Sequence, residues 1–122
     1  MLHRLALPVL LLLLANPAAA TCADASCVPS TAAQAREQLE ITYQQLLKHW
    51  ANEHLHRQRL INSQRIWRSF RDAECELAAT NENPGEHIDA YERCDQALSQ
   101  ERTRALQRYL RCAETNVDCV TP

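Results

Sequence analysis

Apolar residues occur along this chain in two ways. The first is a single unbroken run, Leu5-Ala6-Leu7-Pro8-Val9-Leu10-Leu11-Leu12-Leu13-Leu14-Ala15, behind a short start that carries Arg4. From residue 31 on, apolar positions return every three or four residues, the spacing of one face of a helix. Leu39, Tyr43, Leu46, Leu47 and Trp50 follow Ser30-Thr31, either of which can cap a helix start, and predict helix one over about 31–51. Leu60, Ser63, Ile66, Trp67, Phe70, Ala73 and Leu77 predict helix two over about 54–80, buried along that stripe and ended by Asn81-Glu82-Asn83-Pro84-Gly85. Tyr91, Cys94, Leu98, Ala105, Leu106, Tyr109 and Leu110 predict helix three over about 86–112. The segment Trp50 to His54 has no Pro or Gly, so the turn there is inferred from compactness, with one long helix as the alternative. No two-residue alternation appears, and the expected fold is all-α: a small antiparallel three-helix bundle stabilised by disulfides.

The N-terminal run is too short to span a bilayer, which takes about 20 residues. Followed by Ala18-Ala19-Ala20, it reads as a signal peptide over residues 1–20, cleaved after Ala20, with the helical domain over 21–122. A lipid anchor on Cys22 is disfavoured because Thr21, not Gly, Ala or Ser, precedes it. Export to the periplasm or outside the cell is the expectation, with no stable membrane insertion after cleavage.

Charge narrows the function classes. The chain has 13 Lys/Arg and 15 Asp/Glu; losing the leader removes Arg4 and no acid, so the mature domain is left with 12 and 15, net −3. Nucleic-acid binders show a basic face and membrane-surface helices a basic polar side, so neither partner is expected. With one glycine in the chain there is no phosphate cradle, and no nucleophile motif or selected carboxylate pair suggests catalysis. No cofactor is implied.

Six cysteines, Cys22, Cys27, Cys75, Cys94, Cys112 and Cys119, all lie beyond the leader, and an even count in a small exported domain reads as three disulfides. Their spacings fit zinc poorly, as do those of His49, His54 and His56, which lack the i,i+4 pairing of a helical metal site. Cys75 and Cys94 flank the Pro84-Gly85 hairpin and are paired on that ground. Helix three runs ~40 Å from Glu86 to Cys112. An extended nine-residue segment reaches ~30 Å. Long-range bridges from Cys22 or Cys27 are therefore strained, which leaves Cys22–Cys27 and Cys112–Cys119.

The densest information lies in helix two. Arg65, Arg68, Asp72 and Glu76 form a solvated ladder, with Arg68–Asp72 and Asp72–Glu76 at i,i+4 and Arg65 one turn further back. Gln64 and Arg71 project at the margin of the expected apolar stripe beside Trp67, where polar groups need partners. Either Arg71 pairs with a carboxylate on a neighbouring helix, Glu40 or Glu101, while its stem packs on Trp67, or Gln64, Trp67 and Arg71 form a partner-binding edge.

Leu60-x-x-Ser63-Gln64-Arg65-x-Trp67-x-x-Phe70-Arg71-Asp72-Ala73-Glu74-Cys75 is similar to the signature of the LprI-like lysozyme-inhibitor domain family. Leu39 with Tyr43-Gln44-Gln45-Leu46, Cys94-x3-Leu98-x3-Arg102-x3-Leu106 and Tyr109-Leu110-x-Cys112-x6-Cys119 also resemble that family, extending the likeness over about residues 37–119. Arg36 and Glu40 depart from it, as does a loop reduced to Asn83-Pro84-Gly85. The resemblance implies an exported helical envelope protein that inhibits lysozyme by protein–protein binding, with the motif residues Gln64, Arg65, Trp67, Arg71 and Asp72 as candidates either for binding or for a structural role. The contrasting class is a structural or chaperone-like envelope module with an apolar groove between helices. For an inhibitor, the loop Asn81–His87 and the exposed charges of helix two are the expected contacts.

Overall fold

The computed structural model describes residues 31–115, which form three helices in the order α1 (Ala32–His49), α2 (His54–Ala79) and α3 (Pro84–Thr115). Among the described residues there is no strand, in agreement with the all-α expectation. The expected leader, the expected Cys22–Cys27 bridge and the Cys119 end of the expected Cys112–Cys119 bridge lie outside the described residues. No described helix is long and apolar enough to cross a membrane.

Thr31 starts α1 by accepting the Gln34 backbone N–H at its hydroxyl, 3.2 Å away. The turn inferred from compactness is present. Trp50 N–H closes onto the Leu46 carbonyl and Ala51 N–H onto Lys48, and Arg57 of α2 donates to the Leu47 carbonyl at 3.2 Å, so the end of α1 is satisfied without a glycine. At the second turn Pro84 opens α3, two residues earlier than the sequence expectation. Proline suits the first helical position because its missing N–H would find no helical partner there. The Asn83 carbonyl accepts from the N–H groups of Glu86 and His87, and the Asn83 amide donates to the Glu86 carboxylate at 2.7 Å.

α3 packs against both other helices. Leu39, Tyr43, Leu46 and Leu47 of α1 meet Leu60 of α2 and Leu106 of α3 in one buried cluster, with Trp50, Ile61, Trp67 and Leu110 at its margin. Toward the start of α1 the buried residues are small, Ala32, Ala35, Ala79 and Ala90. There the bridge Cys75–Cys94, the one expected from the hairpin, joins α2 to α3 with a Cα–Cα distance of 5.4 Å. Cys112 is disulfide-bonded as well.

The rotation of α2 differs from the sequence expectation. Its buried face is Leu60, Gln64, Cys75 and Ala79, with Trp67 and Arg71 half-buried. Ile66, Phe70 and Leu77, expected inside, are 61, 51 and 68% exposed, and Ser63 and Ala73 are exposed too. The disulfide and the partners of Gln64 and Arg71 fix α2 in this rotation, because turning the apolar stripe inward would carry Cys75 away from Cys94. On α3, Tyr109, expected to be buried, is 41% exposed, while Asp95, Ser99 and Thr103 are buried.

Candidate binding site around the second helix

Asp95, Ser99 and Thr103 recur at four-residue spacing and so share one face of α3. Ser99 Oγ donates to Asp95 Oδ1 at 2.9 Å, and Thr103 Oγ1 donates to the Ser99 carbonyl at 2.8 Å. Arg36 of α1 donates to Asp95 Oδ2, and Arg71 of α2 brings its Nε to 3.5 Å from Asp95 Oδ1. One buried carboxylate thus receives a cation from each of the other two helices. The hydrogen bond that Arg36 donates to Asp95 raises the pKa of its guanidinium above the ordinary value, against the opposing effect of burial. Asp95 was not singled out in the sequence. The signal was the polar spacing of residues 95, 99 and 103 beside Cys94, whose bridge sets which side of α3 faces α2.

The motif residues separate into inner and outer groups. Gln64 is buried and accepts from Arg102 Nε at 3.0 Å, while Arg102 also donates to Ser63 Oγ at 2.7 Å. The guanidinium groups of Arg71 and Arg102 lie 5.3 and 5.9 Å from the centre of the Trp67 ring, an arrangement in which the ring face attracts the cations. Burial lowers the Arg102 pKa. Arg71 donates twice to Asp72 Oδ1, at 2.9 and 2.7 Å, and the Tyr91 hydroxyl donates to the same oxygen at 3.4 Å. Burial, followed by the charges of Asp72 and Asp95, raises the Tyr91 pKa. Among the described residues, two buried side-chain atoms, Gln64 Nε2 and Gln38 Oε1, have no hydrogen-bond partner.

These contacts correct two expectations. Glu40 pairs with Arg68 at 3.0 Å, and the cross-helix carboxylate beside Arg71 is Asp95, so neither Glu40 nor Glu101 takes that place. The Arg68–Asp72 rung of the expected ladder is replaced by Arg68–Glu40 and Arg71–Asp72, because a cross-helix acid and an adjacent one lie closer. The structure brings Gln64, Trp67 and Arg71 together with Arg102 and Asp95, and leaves Arg65 and Asp72 exposed on the outer surface.

Two surface features flank this network. At the α1–α2 turn a cleft of about 620 Å³ is lined by His49, Trp50, His56, Arg59, Arg102 and Tyr109, among others. His56 Nδ1 lies 2.9 Å from the Glu53 carboxylate, and its ring is 5.2 Å from that of Trp50. Among the described residues no three His, Cys, Asp or Glu side chains are grouped to hold a metal ion. At the other end, Asp72, Glu74, Glu76, Glu82, Glu86, Asp89 and Glu92 occur without an intervening Lys or Arg, and all but Glu92 are exposed. His87 Nε2 approaches Glu76 at 3.4 Å. The α2–α3 hairpin is therefore an acidic tip, braced by Cys75–Cys94.

Comparison with curated proteins returned no match, and neither did comparison with solved structures. Comparison with protein families gave a different result: the model of the family described as lysozyme inhibitor LprI matches residues 15–106, three-quarters of the sequence and all of the Asp95 network, and the chain belongs to that family.

Proposed function

We propose that this protein is exported and inhibits a lysozyme by binding it, without catalysis of its own. The family match over residues 15–106 carries the reading. In this reading residues 1–20 are a signal peptide, the mature domain works in the periplasm or outside the cell, and its helices form an antiparallel bundle. The pairings Cys75 with Cys94 and Gln64 with Arg102 support that direction, since the α3 number rises as the α2 number falls.

The acidic tip is the contact surface in this proposal. Lysozymes tend to be cationic and hold their catalytic carboxylates in an open groove. An acidic, disulfide-braced hairpin is drawn to such a protein and, once seated, occludes the groove. Gln64, Trp67 and Arg71 then hold the tip in shape, and Asp72 stands at its edge.

A turbidity assay of lysozyme on cell walls, with and without the oxidised mature protein, tests the proposal. Inhibition is expected, weakening with added salt and in a Glu82→Lys/Glu86→Lys variant that keeps its melting temperature. Absence of inhibition across several lysozyme types would overturn it in favour of a non-inhibitory envelope interaction module.

A further inference from the structure

The outer surface of α2 carries an apolar stripe of its own. Ile66, Phe70, Ala73 and Leu77 are all exposed and follow one another at intervals of four, three and four residues, the alternation of a coiled-coil seam. At about 100° per residue this seam lies opposite Gln64, Arg71 and Cys75, the side turned toward the core. None of α1, α3 or the described turns covers it: Ile66, Phe70 and Leu77 keep 61, 51 and 68% of their surface in water.

Charge along the same helix identifies the occupant. From His54 to Arg71, α2 carries Arg57, Arg59, Arg65, Arg68 and Arg71 and no acid; from Asp72 to Ala79 it carries Asp72, Glu74 and Glu76 and no Lys or Arg. A helix dipole favours the reverse order, with acids near the N-terminus and bases near the C-terminus. The arrangement is complementary to the same helix running the other way.

We propose that a second copy of this chain covers the seam, α2 against α2 in antiparallel alignment about a two-fold axis between Arg71 and Asp72. This axis sets Ile66 of each copy against Leu77 of the other and Phe70 against Ala73, a large residue on a small one. It also brings Arg65 within about one turn of the second copy's Glu76, on the same side of the seam. A parallel pair would lay arginine on arginine and acid on acid. Four seam residues per copy make a small interface, so the pair forms in the micromolar range or above and not at trace concentration. The two acidic tips would then lie on opposite sides of the axis, pointing in opposite directions, each beside the N-terminal half of the second copy's α2, which carries Arg57 and Arg59.

Sedimentation velocity of the oxidised mature chain, from about 1 to about 500 µM, tests this against the affinity scale expected for a small interface. The expected result is a monomer–dimer equilibrium within that range. Phe70→Glu should weaken it at least tenfold, with unchanged circular dichroism and melting temperature, since the residue is exposed; Leu77→Glu serves as the second variant. Arg65→Glu should weaken the dimer, and Arg65→Glu/Glu76→Arg should restore it, which only the antiparallel alignment predicts. A wild-type chain that stays monomeric at the highest concentration overturns the proposal, and so does a dimer indifferent to both seam variants or one not restored by the charge exchange. If Phe70→Glu instead abolishes lysozyme inhibition while the mass is unchanged, the seam faces the enzyme and not a second copy.

Discussion

The two ends of the helical assembly are held by different physics. Near the α1–α2 turn, Leu39, Tyr43, Leu46, Leu47, Leu60 and Leu106 exclude water through large side chains whose contacts have no required direction. Near the α2–α3 hairpin the buried apolar residues are alanines, and the helices are held by Arg36, Arg71, Asp95 and the Cys75–Cys94 bridge. Alanine lets helices approach closely but buries little surface, so a small domain that uses it needs other ties. The end assigned here to partner contact is the one that relies on charge pairing and a covalent link.

The largest expected effect lies at the apolar end. Leu46 is fully buried, and Leu46→Ala should cost about 3 to 4 kcal/mol by leaving a cavity, read as a lower denaturant midpoint with an unchanged slope. Next is loss of the bridge, whose cysteines are 19 residues apart in sequence; Cys75→Ala/Cys94→Ala should cost about 3 kcal/mol. Hydrogen exchange then separates the two ends: amides around residues 72–95 should lose protection first, while those of Leu46 and Leu106 persist. Equal loss throughout would show that the ends are not distinct.

Arg71→Ala should cost about 2 kcal/mol, since it leaves Asp95 buried with Arg36 alone as its cation. Arg36, with 40% of its side chain exposed, should matter less, about 1 kcal/mol once solvent screening is allowed for. The smallest effect is set by pH. The folded state raises the Tyr91 pKa, so it favours the neutral phenol. The stability gained is present in full below the ordinary tyrosine value of about 10 and is lost as pH rises through the higher folded value. Tyr91→Phe should flatten the alkaline fall in melting temperature and leave the neutral value nearly unchanged.

Much of the fold is legible in the sequence. Three helical periodicities, two turns and the hairpin cysteines suffice for the all-α architecture and the Cys75–Cys94 pairing. The rotation of α2 is not. Ile66, Phe70 and Leu77 supply a better apolar stripe than Leu60, Gln64, Arg71 and Cys75, so hydrophobicity alone turns the helix the wrong way. Its true inner face depends on partners distant in the chain, with Arg102 bonded to Gln64 and Asp95 beside Arg71. For the same reason the Gln64, Trp67 and Arg71 segment could be recognised as unusual while Asp95, the group that unites it with α1 and α3, passed unnoticed. Periodicity reports how much apolar surface a face carries, not which distant charge will neutralise it.

A seam of leucines is tolerant of sliding: one helix can slip a turn, about 5.4 Å, along another and still find apolar neighbours. Asp95 allows no such slip, because a shift of α1 or α2 by that distance takes from a buried anion one of its two guanidinium partners. The carboxylate acts as a locating pin that fixes alignment, whatever its net contribution to stability. Exchanging the trio Arg36, Arg71 and Asp95 for well-packed apolar residues of similar volume would then leave the melting temperature level or higher. What would go astray is the single lengthwise setting of the three rods, and with it the fixed position of the tip.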